Sequence, residues 1–466
     1  YSLLSGVASR FAATVGCVVF VTVFAAAARM VVGSFNFLAP YSHEMTHGIL
    51  LSLAAIWCVR GFLRGGGARW VVGAGVAVGC VFLTKAEVSA AATPAVVAGL
   101  LLAWRQRGGG RRYGLGMAGV FIVATLLPVL LAAGLLCTAM PAGEAFAGVL
   151  GSWRWVGDPR LVNLPFYRAG MGTLDLRVSL TTLALWTGRY ALFFLPALAV
   201  AMKWRHPGRA LWVGTALLFA AAAFLLWRQQ DDDFWRQVLA PMQVLLAAMI
   251  GFCAWRLFRR RGEADSVRLV LAIFALGMLG KMLLNVTVYG YGFGLAMPGS
   301  LLLVAALLQW IPAWIDRRRG RGILFQAVAL AAILVWVGVN IRLTYLVVAR
   351  RYEPVTTAWG TLWFDWRGRF VRKLIEALDA APPGTVAVLP EGASVNFLTR
   401  RVNPTRFCFL QEPDLVMFGE AAVVESYRAT PPDYIVLVHP EAFDPRSAAW
   451  RFPAGYAPSL MAWVAA

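Results

Sequence analysis

Stretches of about twenty apolar residues recur in this chain between residues 11 and 346, and a helix needs that length to cross the hydrocarbon core of a bilayer. Inside lipid every backbone N–H and C=O must find its partner within the segment, which makes such runs helices. Eleven spans are expected, at roughly 11–33, 44–63, 69–84, 87–104, 113–138, 179–202, 210–228, 237–256, 267–286, 295–314 and 323–346. The third and fourth are short enough to form a helical hairpin that does not fully cross. Composition agrees: 60% of residues are hydrophobic and 14% charged, where a soluble domain carries about 25% charged residues. A soluble globular fold is excluded.

The 43 lysines and arginines outnumber the 23 acidic residues, for a formal charge of +20. On a soluble protein that excess would suggest nucleic acid. Here the cations fall in alternate short loops: Arg60/Arg64/Arg69, Arg105/Arg107/Arg111/Arg112, Lys203/Arg205/Arg209, Arg256/Arg259/Arg260/Arg261/Arg268 and Arg317/Arg318/Arg319/Arg321. By the positive-inside rule these loops are cytoplasmic, so topology accounts for the charge and no nucleic-acid partner is expected. Five of the six cysteines lie in apolar runs and only Cys408 in a polar region, so neither a disulfide framework nor a CxxC metal pair can be built. The chain starts at Tyr1 and is expected to begin inside a longer protein, with a truncated N-terminus.

The domains expected are 1–349, embedded in the membrane, and 350–466, outside the cytoplasm. In the second, a helix over 366–380, a strand over 385–389, a helix near 415–428 and a strand over 434–438 are punctuated by Pro382-Pro383-Gly384 and Pro431-Pro432-Asp433. That pattern predicts a small α/β domain on the outer face, which either caps the membrane part or shapes an acceptor cleft. The 139–178 loop, with Trp153, Arg154, Trp155, Asp158, Phe166, Tyr167 and Arg168, should face the same side. It is too long for a connector without regular structure, which argues for function. The fold class is thus a polytopic α-helical membrane protein with about eleven spans and a small extracytoplasmic α/β domain.

One motif is sharp. His43-Glu44-Met45-Thr46-His47 is an HExxH, which on a helix places two imidazoles on one face for zinc with the glutamate as general base. A third ligand is hard to supply, because only His206 and His439 remain and Glu87 would require spans three and four to fold back. An intramembrane metalloprotease is therefore the less favoured alternative. A transporter or flippase is another, but no internal repeat is found and the charges sit at the ends of spans, away from the midplane.

The same residues have a longer context. The run Asn36-Phe37-Leu38-Ala39-Pro40-Tyr41-Ser42-His43-Glu44 leads from an outward loop into a span, and Leu83-Thr84-Lys85 ends a later one. Further on come Leu164-Pro165-Phe166-Tyr167-Arg168, then Leu389-Pro390-Glu391-Gly392 with Asn396-Phe397-Leu398, Asn403-Pro404 and Pro431-Pro432-Asp433-Tyr434. Over most of its length the chain resembles the membrane glycosyltransferases of the GT-C superfamily, in particular bacterial relatives of protein mannosyltransferases and of the lipid A aminoarabinose transferase. The resemblance implies an enzyme of the cytoplasmic membrane that moves a sugar from a polyprenyl-phosphate donor to a lipid, glycan or protein acceptor at the outer face. It also implies an acidic motif in the first outer loop, so the main catalytic base would lie upstream of Tyr1.

Such a transfer needs a carboxylate to take a proton and cations to stabilise the departing phosphate. Ionisable groups at the outer ends of spans are the candidates, because burying them is costly. Glu44, Asp231 and Asp232 are expected as catalytic carboxylates, and Lys85 and Arg236 as donor-phosphate ligands. Glu87, Lys281, Arg228 and Asp233 lie in the same group of outer-end charges. His43 with Glu44 would hold a divalent cation, if one is used. Lys85 could instead snorkel to the interface, Asp231 to Asp233 could form a solvated turn, and Trp153, Trp155 and Trp235 are expected in the interfacial belt.

Overall fold

A computed structural model describes the chain except residues 30–33, 109, 204–215, 217–219, 221–223, 225–227, 229–231, 261, 439–451 and 453–454, and except the side chains of Asp232 and Asp233. It falls into two compact units, one of residues 1–154 and 170–347, the other of residues 155–169 and 348–466.

The first unit is a helical bundle. Its long helices are α1 (Arg10–Val19, continued as a π-helical turn to Ala25), α2 (His43–Leu63), α3 (Ala68–Phe82), α4 (Ala86–Arg107), α5 (Arg111–Cys137), α6 (Leu176–Lys203), α7 (Met242–Arg259), α8 (Glu263–Met278), α9 (Met297–Ala305, running on through a π turn to Arg317) and α10 (Gly322–Ala349). Among the described residues seven helices are long and apolar enough to cross a membrane, so the protein is a membrane-embedded helical one. Helix overlaps each of the expected spans except 210–228, which lies largely outside the described residues; in the first, expected over 11–33, the helix ends at Ala25. At 15 residues α3 is about 22 Å long. That is short of a hydrocarbon core of about 30 Å. It turns straight into α4 through Leu83-Thr84-Lys85, with Thr84 Oγ1 donating to the Val81 carbonyl at 2.7 Å.

Small residues let these helices approach. A Cβ on Gly79 of α3 would stand 2.1 Å from the Thr125 carbonyl oxygen of α5, and one on Gly75 would stand 2.8 Å from the Phe121 carbonyl. This is the close backbone packing that glycines four residues apart permit between membrane helices. Two ends of the bundle are then pinned by polar contacts. At one, Arg60 and Arg64 pair with Glu263, Arg256 and Arg268 with Asp265, and Arg107 donates to the carbonyls of Phe62 and Gly66. At the other lie the starts of α2 and α4 and the end of α8.

The second unit pairs two short parallel strands, β3 (Val386–Leu389) and β4 (Tyr434–Leu437), in the register Val386↔Tyr434 to Leu389↔Leu437. Preceding them is an antiparallel hairpin of β1 (Glu353–Thr357) and β2 (Gly360–Phe364), followed by α11 (Gly368–Ala380). The helix expected over 415–428 is two helices, α13 (Glu412–Phe418) and α14 (Glu420–Ala429), broken at Gly419, whose φ of 84° a helix cannot continue. Between β3 and α13 sits α12 (Ala393–Thr399), and α15 (Pro458–Ala465) closes the chain, its Trp463 stacked on the buried Tyr427. The 139–178 segment is also more regular than expected. It carries the short helices Ala142–Val149, Pro159–Val162 and Pro165–Met171.

Candidate functional site

The site grows from three element ends of the first unit. Ser42 precedes α2 and Lys85 precedes α4, both in non-helical backbone, so that Glu44 and Glu87 fall in the first turns of their helices. A carboxylate there is favoured by the helix dipole. Lys281 lies in the short helical turn Leu279–Met282 that ends α8. The chain then loops through Tyr289-Gly290-Tyr291, with Gly290 at φ 52°, into a helical turn at Gly292. Gly292 is required: a Cβ there would lie 1.9 Å from the Thr287 carbonyl oxygen.

These ends bring four ionisable groups together. Lys85 Nζ donates to Ser42 Oγ at 3.1 Å and to Glu44 Oε1 at 3.2 Å, while Ser42 Oγ donates to the same Glu44 oxygen at 2.6 Å. Glu87 Oε1 accepts from Lys281 Nζ at 3.1 Å and stands 3.9 Å from Lys85 Nζ. Both ammonium groups lie over the Tyr291 ring, at 4.3 Å for Lys85 and 5.0 Å for Lys281. The Lys85 side chain is 13% exposed. Phe35 and Tyr41 back Tyr291 at ring distances of 5.5 and 6.4 Å, and Asn36 fixes their loop by accepting from the Leu38 and Ala39 amides.

A second cation pair sits two residues away. The guanidinium groups of Arg29 and Arg236 lie 5.6 and 5.1 Å from the ring of Tyr289. Two tyrosines of one loop therefore gather four cations, with Glu44 and Glu87 as the carboxylates seen among them. Cation–π contact holds positive charge in place without neutralising it. The arrangement suits a multiply charged anion such as a phosphate ester, with the glutamates close enough to exchange a proton or to yield the ammonium groups to a ligand.

The expected residues distribute as follows. Glu44, Lys85, Glu87 and Lys281 meet, and Arg236 reaches the same loop. Asp231 lies outside the described residues, as do the side chains of Asp232 and Asp233, so neither the catalytic nor the solvated-turn expectation for them is tested. His206 and His439 are likewise outside. His43 and His47 are exposed with ring centroids 6.1 Å apart, and among the described residues no cluster of three His, Cys, Asp or Glu suitable for a metal forms. Glu44 Oε1 already carries the Lys85 ammonium 3.2 Å away, so a divalent cation at Glu44 would face a like charge; His43 and Glu44 as they stand fit such an ion poorly. Trp235 is a correction. At 4% exposure it is packed against Phe234 in the core and does not belong to an interfacial belt. Trp153 stacks on Phe82 at 5.1 Å.

Sequence reasoning passed over Tyr289, Tyr291 and Arg29. A Tyr-Gly-Tyr-Gly run at the end of a span was the available signal, because glycines on both sides free the backbone to present the rings. In the second unit, burial raises the carboxyls of Glu391, Glu412 and Asp414, the last to about 6. No protein-family model, curated protein or solved structure matches this chain.

Proposed function

We propose that the protein is a membrane glycosyltransferase that takes a sugar from a polyprenyl-phosphate donor at the outer face of the cytoplasmic membrane of a bacterium and passes it to a lipid, glycan or protein acceptor. The observation that carries this reading is the convergence of Lys85, Lys281, Arg29 and Arg236 on Tyr289 and Tyr291, at the bundle end opposite the arginine-rich loops. Lipid-linked phosphates are met where hydrocarbon and water join, and a fixed group of cations there stabilises the charge that develops as a phosphate departs. The GT-C resemblance at Leu83-Thr84-Lys85 and at the start of α2 falls on this same group. In this reading the chain has eleven spans, the arginine-rich loops face the cytoplasm, and residues 350–466 stand outside it. Glu44 and Glu87 orient the cations and handle protons, and Lys85 and Arg236 contact the donor phosphate. No step is routed through a divalent cation.

The test is binding of a radiolabelled polyprenyl phosphate to the chain in nanodiscs. Saturable binding that falls at least tenfold in Lys85→Ala and Lys281→Ala supports the reading. Absence of saturable binding overturns it and favours a transporter.

A further inference from the structure

At the arginine end of the bundle, a cleft of about 480 Å³ is lined by Ser2, Ser5, Trp57, Arg60, Arg64 and Trp70. Its walls are built around glycines. The Arg60 guanidinium lies against Gly6, where a Cβ would be 2.3 Å from Cζ, and the Trp70 ring covers Gly61 and Gly66, where Cβ atoms would be 2.5 and 2.1 Å from it. Arg60 is thereby held at 13% exposure, donating to the Ser2 carbonyl at 2.8 Å. Arg60 and Arg64 share one carboxylate, Glu263, at 3.5 and 3.0 Å. Arg69 lies over the Trp70 ring, and Arg107 donates to the Gly66 carbonyl at the cleft's edge. Arg60 and Arg64 therefore share a single acid, and the Nη2 of Arg60 and both terminal nitrogens of Arg64 make no hydrogen bond among the described residues.

The mouth of the cleft says what kind of anion fits. On α2 the exposed positions Leu50, Ala54 and Trp57 form one stripe, which Arg64 continues at helical spacing. Leu50 is 67% and Trp57 46% exposed, so an apolar track along the exposed side of the helix leads into the basic cleft. Tryptophan and arginine at this depth are the pair that meets a lipid's glycerol and phosphate region.

We infer that this cleft binds the phosphate headgroup of an anionic membrane lipid, with the phosphodiester against Arg60 and Arg64 and an acyl chain along Leu50, Ala54 and Trp57. The site is distinct from the tyrosine–cation group at the other end and does not depend on the chemistry proposed there. Glu263 competes with the lipid for the same two guanidinium groups, so it sets the affinity.

The experiment is native mass spectrometry of the detergent-released chain with added dioleoyl phosphatidylglycerol or dioleoyl phosphatidylcholine. The wild type should retain phosphatidylglycerol preferentially. Arg64 is 60% exposed, so Arg64→Glu should fold, and it should lose about tenfold in phosphatidylglycerol retention, the worth of one charge-assisted contact. Glu263→Gln should move the other way and retain more. A purely structural role for these residues would not produce opposite shifts. Equal retention of both lipids, or no change in either variant, overturns the proposal. Displacement of the bound phosphatidylglycerol by inorganic phosphate, with Leu50→Ser and Trp57→Ser unaltered in retention, would assign the cleft to a soluble phosphate and overturn the lipid.

Discussion

At the scale of single residues, Lys85 carries the argument, because one ammonium meets Ser42, Glu44, Glu87 and the Tyr291 face. If it contacts a donor phosphate, Lys85→Ala should cost about 1.5–3 kcal/mol in donor affinity, measured by equilibrium binding. Lys85→Arg should recover part of that, since charge survives while geometry changes. Along α2 neighbours separate by role: Glu44→Gln should impair sugar transfer, because it removes the carboxylate that handles protons, whereas His47→Ala should leave transfer mostly intact. Equal loss in both, with stoichiometric zinc, would instead support the metalloprotease. Much of this group was legible beforehand, since an ionisable residue at the end of an apolar run has a high cost and needs a reason. Its two tyrosines were not. An aromatic at the end of a span reads equally well as an interfacial residue, and only the folding of the 285–292 loop against α2 and α4 distinguishes the two. Trp235 failed for the converse reason: its burial depends on partners distant in sequence, including Trp186, which packs on its neighbour Phe234.

At the scale of elements, apolar run length identified the helices, while turns and partner contacts had to come from the structure. The β1–β2 hairpin was unforeseen because its Glu353-Pro-Val-Thr-Thr357 and Gly360-Thr-Leu-Trp-Phe364 lack clear alternation, and β2 is exposed along most of its length. The break at Gly419 was hidden inside a pattern that reads as continuous helix. Contact between α3 and α5 was similarly invisible, yet it positions Lys85, since α3 leads directly into the Leu83-Thr84-Lys85 turn. Gly79→Val tests that link. With the Thr125 carbonyl 2.1 Å and Pro128 Cγ 2.7 Å from the new Cβ, the backbones must separate, and thermal stability in detergent should fall by about 1–3 kcal/mol equivalent. Donor affinity should fall with it. Gly116→Ala on the exposed side of α5 meets nothing within 4 Å and should be neutral or slightly stabilising, which makes it the control.

At the scale of the whole molecule, the bundle sorts its charges by end, and this sorting ties chemistry to topology. The segment before α1 belongs to the arginine end, where the Val7 carbonyl accepts from Arg268 and Trp310. Helix α10 starts at that same end, the Arg321 amide donating to the Ala201 carbonyl of α6. Near its other terminus Thr344 Oγ1 accepts from the Ala28 amide, next to Arg29 of the tyrosine–cation group. The chain therefore leaves α10 at the end that carries the candidate site. If the arginine end obeys the positive-inside rule, both the site and residues 350–466 face out of the cytoplasm. Cysteine labelling reads this directly, because Cys408 is exposed in the second unit. In intact bacterial cells a membrane-impermeant maleimide should label Cys408, and Cys408→Ser should remove that label. Cys137 is exposed as well, so in a background with both Cys137→Ser and Cys408→Ser a cysteine introduced as Arg318→Cys should stay unlabelled until the cells are permeabilised. A reporter active only in the cytoplasm, fused after Ala466, should be silent. Labelling of Arg318→Cys in intact cells together with an active reporter would invert the molecule. The tyrosine–cation group would then face the cytoplasm, and a transferase acting at the outer surface would no longer be tenable.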